Sequence, residues 1–132
     1  MKHNHPEDHK SEACQQSIGA IRDTLYVLSG KWKLPIIVAL SSGPARFKDL
    51  QRSLEEITPK ILSKELKELE LNEFVTRTVY ATSPVTVEYA LTKYSESLDS
   101  IIEEMREWGL QHRKRLMNSS RKSKKKDLAE LS

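Results

Sequence analysis

Between Leu71 and Phe74 the apolar pattern of this chain changes period. Upstream, Leu62, Leu66 and Leu69 recur at three- and four-residue steps, the repeat that lines one face of a helix. Downstream, Phe74–Tyr80 and Val85–Tyr89 are mostly β-branched or aromatic, joined by Ala81-Thr82-Ser83-Pro84, a connection of hairpin length. A chain of 132 residues with one such hairpin and helical patterning elsewhere should form one domain, mainly α with a small β-hairpin (α+β).

The helix before the hairpin should run over 58–70. Thr58 is a good N-cap, because its hydroxyl can accept from an otherwise unpaired backbone N–H, and Pro59 fits the first helical position. Opposite the leucines lie Lys60, Ser63, Lys64 and Lys67. Such a face is either an ordinary solvated surface or one that enters a DNA major groove, leaning on phosphates and offering hydroxyls and ammonium groups to base edges. The neighbouring segments favour the second reading. Phe47, Leu50 and Leu54 mark a short helix, and Glu55-Glu56-Ile57 turns into the helix with the cationic face. This is a helix-turn-helix pattern, and a hairpin following it is the wing of a winged helix.

The rest of the chain frames that unit. Residues 1–13 read as a disordered polar tail; His3, His5 and His9 within it lack the cysteine partners that would argue for a metal site. Ile18, Ile21, Leu25 and Leu28 make a first helix closed by Ser29-Gly30. A second helix, about Lys31–Ser41, is apolar almost all round and should be the buried centre, with Pro35 tolerated in its first turn. Ser42-Gly43-Pro44 breaks the chain before a short edge strand at 45–47. Thr92 is placed to cap a last helix, 92–117, whose stripe is Leu98, Ile101, Ile102, Met105, Trp108, His112 and Leu116. About 25 residues at 1.5 Å each give roughly 37 Å, more than so small a domain can cover, so the stripe should meet a second copy of the chain rather than act as an intramolecular clamp. Together 14–117 form the domain, with dimerisation helices at about 14–29 and 92–117, and 118–132 is expected to be a disordered basic tail that either attracts phosphates or aids solubility.

Charge is unevenly placed. Residues 113–132 hold eight Lys/Arg against Asp127 and Glu130, a balance of +6 in a chain of net +3, so residues 1–112 carry −3. Bulk charge therefore does not argue for nucleic acid, and local placement must. No apolar run approaches the roughly 18 residues of a membrane span, and the N-terminus has no apolar signal segment. One cysteine, Cys14, allows no internal disulfide and suits a cytoplasmic setting. There is no Gly-rich phosphate loop, paired metal-ligand motif or nucleophile with an evident base, so neither an enzyme nor a cofactor is expected.

At Gly30-Lys31-Trp32-Lys33, Arg46-Phe47-Lys48-Asp49-Leu50, Leu62–Glu70 and Val87-Glu88-Tyr89-Ala90-Leu91-Thr92, the chain resembles the HxlR-type transcriptional regulators, bacterial winged-helix proteins related to the MarR group. The likeness covers about residues 18–116. It implies a homodimer that binds a pseudo-palindromic operator in double-stranded DNA and represses, or sometimes activates, a neighbouring gene. Carried onto this chain, it makes Thr58, Pro59, Lys60, Ser63, Lys64 and Lys67 the DNA-reading residues. Arg46 and Lys48 on the supporting helix and Arg77, Thr82 and Ser83 on the wing would assist. Ile18, Ile21 and Leu25 would join the last helix's stripe (Leu98, Ile101, Ile102, Met105, Trp108, His112) in the dimer interface. Some members sense quinones, aldehydes or oxidants through a cysteine just ahead of the first helix, which makes Cys14 the candidate sensor. It stands seventeen residues before Lys31, beside Gln15-Gln16 rather than a proline. Glu73 and Ser95 stand where glycine is common in the family. The competing reading is a winged-helix protein-interaction module that recognises no DNA sequence.

Overall fold

The computed structural model describes residues 11–131, in two compact units divided between Thr92 and Lys93. The first contains α1 (Glu12–Val27), α2 (Lys33–Leu40), α3 (Phe47–Ser53), α4 (Pro59–Leu71), β1 (Val75–Tyr80) and β2 (Thr86–Leu91). The second is a 3-10 segment, Lys93–Leu98, followed by α5 (Asp99–Leu131).

The first unit is built around α2. Its residues Ile36, Ile37 and Leu40 are buried together with Leu50 of α3, Leu62, Leu66 and Leu69 of α4, and Ile57, Phe74 and Val75. The helix is flanked by α3, α4 and β2, so the expected buried centre is found, although Val38 faces outward. Lys31 and Trp32 precede the helix rather than open it, with the Lys31 ammonium 5.0 Å from the centre of the Trp32 ring. The strand expected at 45–47 reduces to one bridge: Ala45 and Tyr89 exchange two backbone hydrogen bonds of 2.9 and 2.8 Å, and the chain enters α3 at Phe47.

The link from α4 to the hairpin is a Schellman turn. Phe74 N–H donates to Leu69 O and Glu73 N–H to Glu70 O, which satisfies carbonyls at the helix end and brings two buried apolar residues, Leu69 and Phe74, to its two sides. The turn needs a left-handed residue, and Glu73 takes it at φ 65°. A glycine there would avoid a cost of about 1 kcal/mol. The strands β1 and β2 pair antiparallel from Val75↔Leu91 to Tyr80↔Thr86. Val75 is buried at the hairpin's base, and the remainder of β1 is exposed.

Three expected boundaries shift. The first helix starts at Glu12, because Ser11 caps it by accepting from Cys14 N–H at 3.1 Å. Residues 11–13 are thus cap and first turn, not tail, while His3, His5 and His9 lie outside the described residues. Thr92 is followed by 3-10 turns, so the last α-helix begins seven residues later, at Asp99. Leu98 belongs to that 3-10 segment and is already buried in the single chain, which takes it out of the exposed stripe. Finally, 118–131 is helical rather than disordered, since no Gly or Pro interrupts Leu110–Leu131 and its Lys, Arg, Leu, Ala and Glu are good helix formers. No helix among the described residues is long and apolar enough to cross a membrane.

Candidate nucleic-acid interface

The orientation of α4 is set by its leucines and by one ion cluster. Leu62, Leu66 and Leu69 are buried, and Glu65, on the same side, is buried with them. Its partner is Lys33, only 4% exposed in the first turn of α2. The Lys33 ammonium lies 2.7 Å from Glu65 Oε2 and 2.5 Å from Glu68 Oε2, and also donates to Ser29 O at 3.3 Å. Burial alone would push this lysine's pKa down, but hydrogen bonds and charge from Glu65 and Glu68 outweigh it and hold it above 10.5. Reciprocally, the Lys33 hydrogen bond draws the half-exposed Glu68 carboxyl below 4.5.

With those two carboxylates turned inward, the outer face of α4 is left to Lys60, Ser63, Lys64 and Lys67, all exposed. Lys64 retains only a distant carboxylate, Glu68 Oε1 at 4.0 Å. At the helix start, Thr58 Oγ1 accepts from Ile61 N–H at 3.2 Å, so its own proton is free to be donated outward. Pro59 fills the first helical position, as expected. The helix N-terminus adds partial positive charge to that end of the face.

The hairpin joins this surface on one side. Arg77 of β1 pairs with Tyr89 of β2, and both line a cleft of about 270 Å³ with Ser63, Leu66, Lys67 and Glu70 of α4. Arg77 therefore shares one concavity with Ser63 and Lys67 of α4. At the tip, Ser83 is exposed, whereas the Thr82 hydroxyl donates to Pro84 O at 2.8 Å and lies 3.1 Å from Thr86 Oγ1. Thr82 thus shapes the loop. Arg46 and Lys48 are exposed at the start of α3, next to Ala45, which is bridged to Tyr89 of β2. The Arg46 amide and the Arg52 guanidinium hold the Asp49 carboxyl below its usual range. Lys48, Gln51, Arg52 and Glu55 line an open cleft of about 500 Å³.

Lys33 and Glu65 are the residues that sequence reasoning misses. Their signal is present: Lys33 is the one charge in the apolar segment Lys33–Leu40, and Glu65 falls on the leucine stripe, three residues after Leu62. A lysine in an apolar helix needs a buried carboxylate, and the two positions predict each other.

Away from this surface, none of the residues of α1 is buried, and Ile18, Ile21 and Leu25 are exposed. On α5, Ile101, Met105, Trp108 and Leu116 are exposed and Ile102 is half-buried, with the His112 ring stacked on Trp108 at 4.8 Å. Cys14 lies inside the first turn of α1, partly exposed, rather than ahead of the helix.

Residues 27–117 match the family model described as HxlR-like helix-turn-helix. An HTH-type transcriptional regulator of Halalkalibacterium halodurans is 46% identical over 90 residues, covering 67% of this chain and 80% of that protein. YtcD of Bacillus subtilis, also described as an HTH-type transcriptional regulator, is 39% identical over 93 residues, 70% and 74% of the two chains. Among solved structures, the redox regulator HypR in its reduced form superposes with a TM-score of 0.68 at 37% identity, over 71% of this chain and 93% of that one. Motif order, winged architecture and these likenesses agree: the chain belongs to the HxlR-like helix-turn-helix family.

Proposed function

We propose that this protein is a homodimeric transcriptional regulator, a repressor that reads a pseudo-palindromic operator through α4 while the hairpin touches the adjacent backbone. The observation that carries the reading is the sorting of charge on α4: Glu65 and Glu68 are drawn to Lys33, and Thr58, Lys60, Ser63, Lys64 and Lys67 are left outward. Pairing is supported by the exposed apolar rows on α1 and, separately, on α5. Two copies of α4 would enter successive major grooves on one face of the duplex, about 34 Å apart. Lys60, Lys64, Lys67 and Arg77 would supply salt-dependent affinity, and Thr58, Ser63 and Lys64 base discrimination. Occupying the operator then blocks transcription of the neighbouring gene.

Replacing Lys64 with alanine is expected to weaken operator binding and lower the slope of log K against log salt by about one. Anisotropy titrations with an operator selected from genomic DNA read both quantities, and an unchanged slope and affinity would overturn the assignment. A selection that enriches no sequence at physiological salt would instead make the fold a protein-interaction module.

The likeness to HypR, described as a redox regulator and solved in oxidised and reduced forms, supports extending the reading to oxidant control. Cys14 is the chain's one cysteine and lies on α1, one of the helices assigned to pairing. Diamide treatment should change operator affinity of the natural protein and leave the Cys14→Ser variant unaffected; an equal response in both would remove Cys14 from the mechanism.

A further inference from the structure

Beyond residue 117, where the family match ends, the helix continues to Leu131. From Trp108 to Lys126 there is no Asp or Glu, while Arg113, Lys114, Arg115, Arg121, Lys122, Lys124, Lys125 and Lys126 all fall in this interval. Each of the eight is exposed, and among the described residues none is ion-paired. The contrast within α5 is direct: Arg106, a few turns earlier, has both Glu103 and Glu107 within 3.5 Å.

Five of the eight cations also lie on the side of the helix away from its apolar stripe. At 100° per residue, the stripe Ile101, Met105, Trp108, His112 and Leu116 continues as Ser119, Ser123, Lys126 and Glu130. Arg113, Lys114, Arg121, Lys124 and Lys125 lie opposite that stripe, Arg115 and Lys122 flank it, and Lys126 falls on it. One of those sides carries a shallow groove of about 420 Å³ lined by Gln111, Lys114, Arg115, Asn118, Ser119 and Lys122, a set rich in hydrogen-bond donors with no carboxylate. Like charges at i,i+4, Arg121/Lys125 and Lys122/Lys126, repel along the helix, and a polyanion laid against it would relieve that repulsion.

We infer that the C-terminal half of α5 is a second DNA contact, a cationic arm that binds the phosphate backbone of duplex DNA without reading sequence. The inference rests on the regulator reading above. The partner follows from charge: residues 1–112 sum to −3, so the domain that holds the reading helix repels DNA at long range, and the +6 of residues 113–132 reverses that balance. Arg113 to Lys126 rises about 20 Å along the axis, the length of about six base steps at 3.4 Å. Duplex phosphates, at one charge per about 1.7 Å of axis, outnumber the eight cations along that length, a density that an acidic peptide would approach only with an uninterrupted acidic run.

The test uses the full chain and two duplexes, the selected operator and a random sequence of equal length. Arg121, Lys122, Lys124, Lys125 and Lys126 are all replaced by glutamine, which removes charge but favours helix. Binding to the random duplex should weaken by about tenfold or more at low salt, and its salt slope should fall by about two to four, near 0.9 for each phosphate no longer neutralised. The ratio of operator to random affinity should stay within about twofold, because α4 is untouched. Circular dichroism must show the helix retained; if it is not, the same five positions changed to alanine repeat the measurement in a stronger helix former. An unchanged salt slope with the helix intact overturns the arm, as does displacement of the natural protein from random duplex by polyglutamate as readily as by duplex competitor. Absence of operator preference in the natural protein would instead overturn the reading of α4, leaving the random-duplex result to decide the arm.

Discussion

Replacing Lys33 with methionine is expected to lower the unfolding free energy by about 3 kcal/mol or more, because it leaves Glu65 buried with no countercharge. The effect should be largely recovered in a Lys33→Met, Glu65→Leu double variant, in which the buried charges are both gone and Glu68, half-exposed, can return to water. Urea titrations at one fixed protein concentration measure both. A single variant within about 0.5 kcal/mol of the natural protein would show that the cluster contributes little. The same pair dictates a pH window. Glu68 is drawn below 4.5, so its contribution is present above that value and is lost as pH falls through the lowered pKa. Lys33 is raised above 10.5, so its contribution is present below that value and is lost as pH rises through the raised one. Between the two, the cluster should leave stability flat, and the methionine variant should lose both shoulders.

A second contrast separates folding from binding on adjacent residues of α4. Leu66, 1% exposed, should cost about 3 kcal/mol when cut to alanine, through reduced burial and the cavity left between α4 and α2. Lys67, its exposed neighbour, should change stability by no more than about 0.5 kcal/mol as alanine, yet weaken DNA binding and its salt dependence. Denaturant midpoints and anisotropy on the two variants give opposite rankings if α4 is oriented as described. A stability loss at Lys67→Ala comparable to that at Leu66→Ala would mean that its outer face is not outer.

Much of this is legible in the chain because it depends on local rules. Thr58 and Pro59 open α4 by capping chemistry, the leucines give its buried side, and the change to alternating residues after Leu71 gives the hairpin. What escapes depends on distance or on competition between rules. Lys33 and Glu65 are 32 positions apart, and only the packing of α2 on α4 makes them partners. Asn118-Ser119-Ser120 and the lysine run have the composition of a tail, yet with no Gly or Pro the helix continues through them. Thr82 stands at the wing tip, where a DNA contact is expected, but a hydroxyl also has neighbours, and the loop's own carbonyl takes its proton. The wing as a whole is visible in the sequence; which of its side chains are free is not.

A stripe of leucines is a poor hinge stop. Rolling such a helix by a few tens of degrees exchanges one aliphatic contact for another, while every outward side chain swings to a new bearing. One ammonium gripping two carboxylates on consecutive turns does not tolerate that roll, since either oxygen would leave its 2.5–2.7 Å contact. The bearing of Ser63, Lys64 and Lys67 is therefore keyed from behind, by a buried lysine on a different helix.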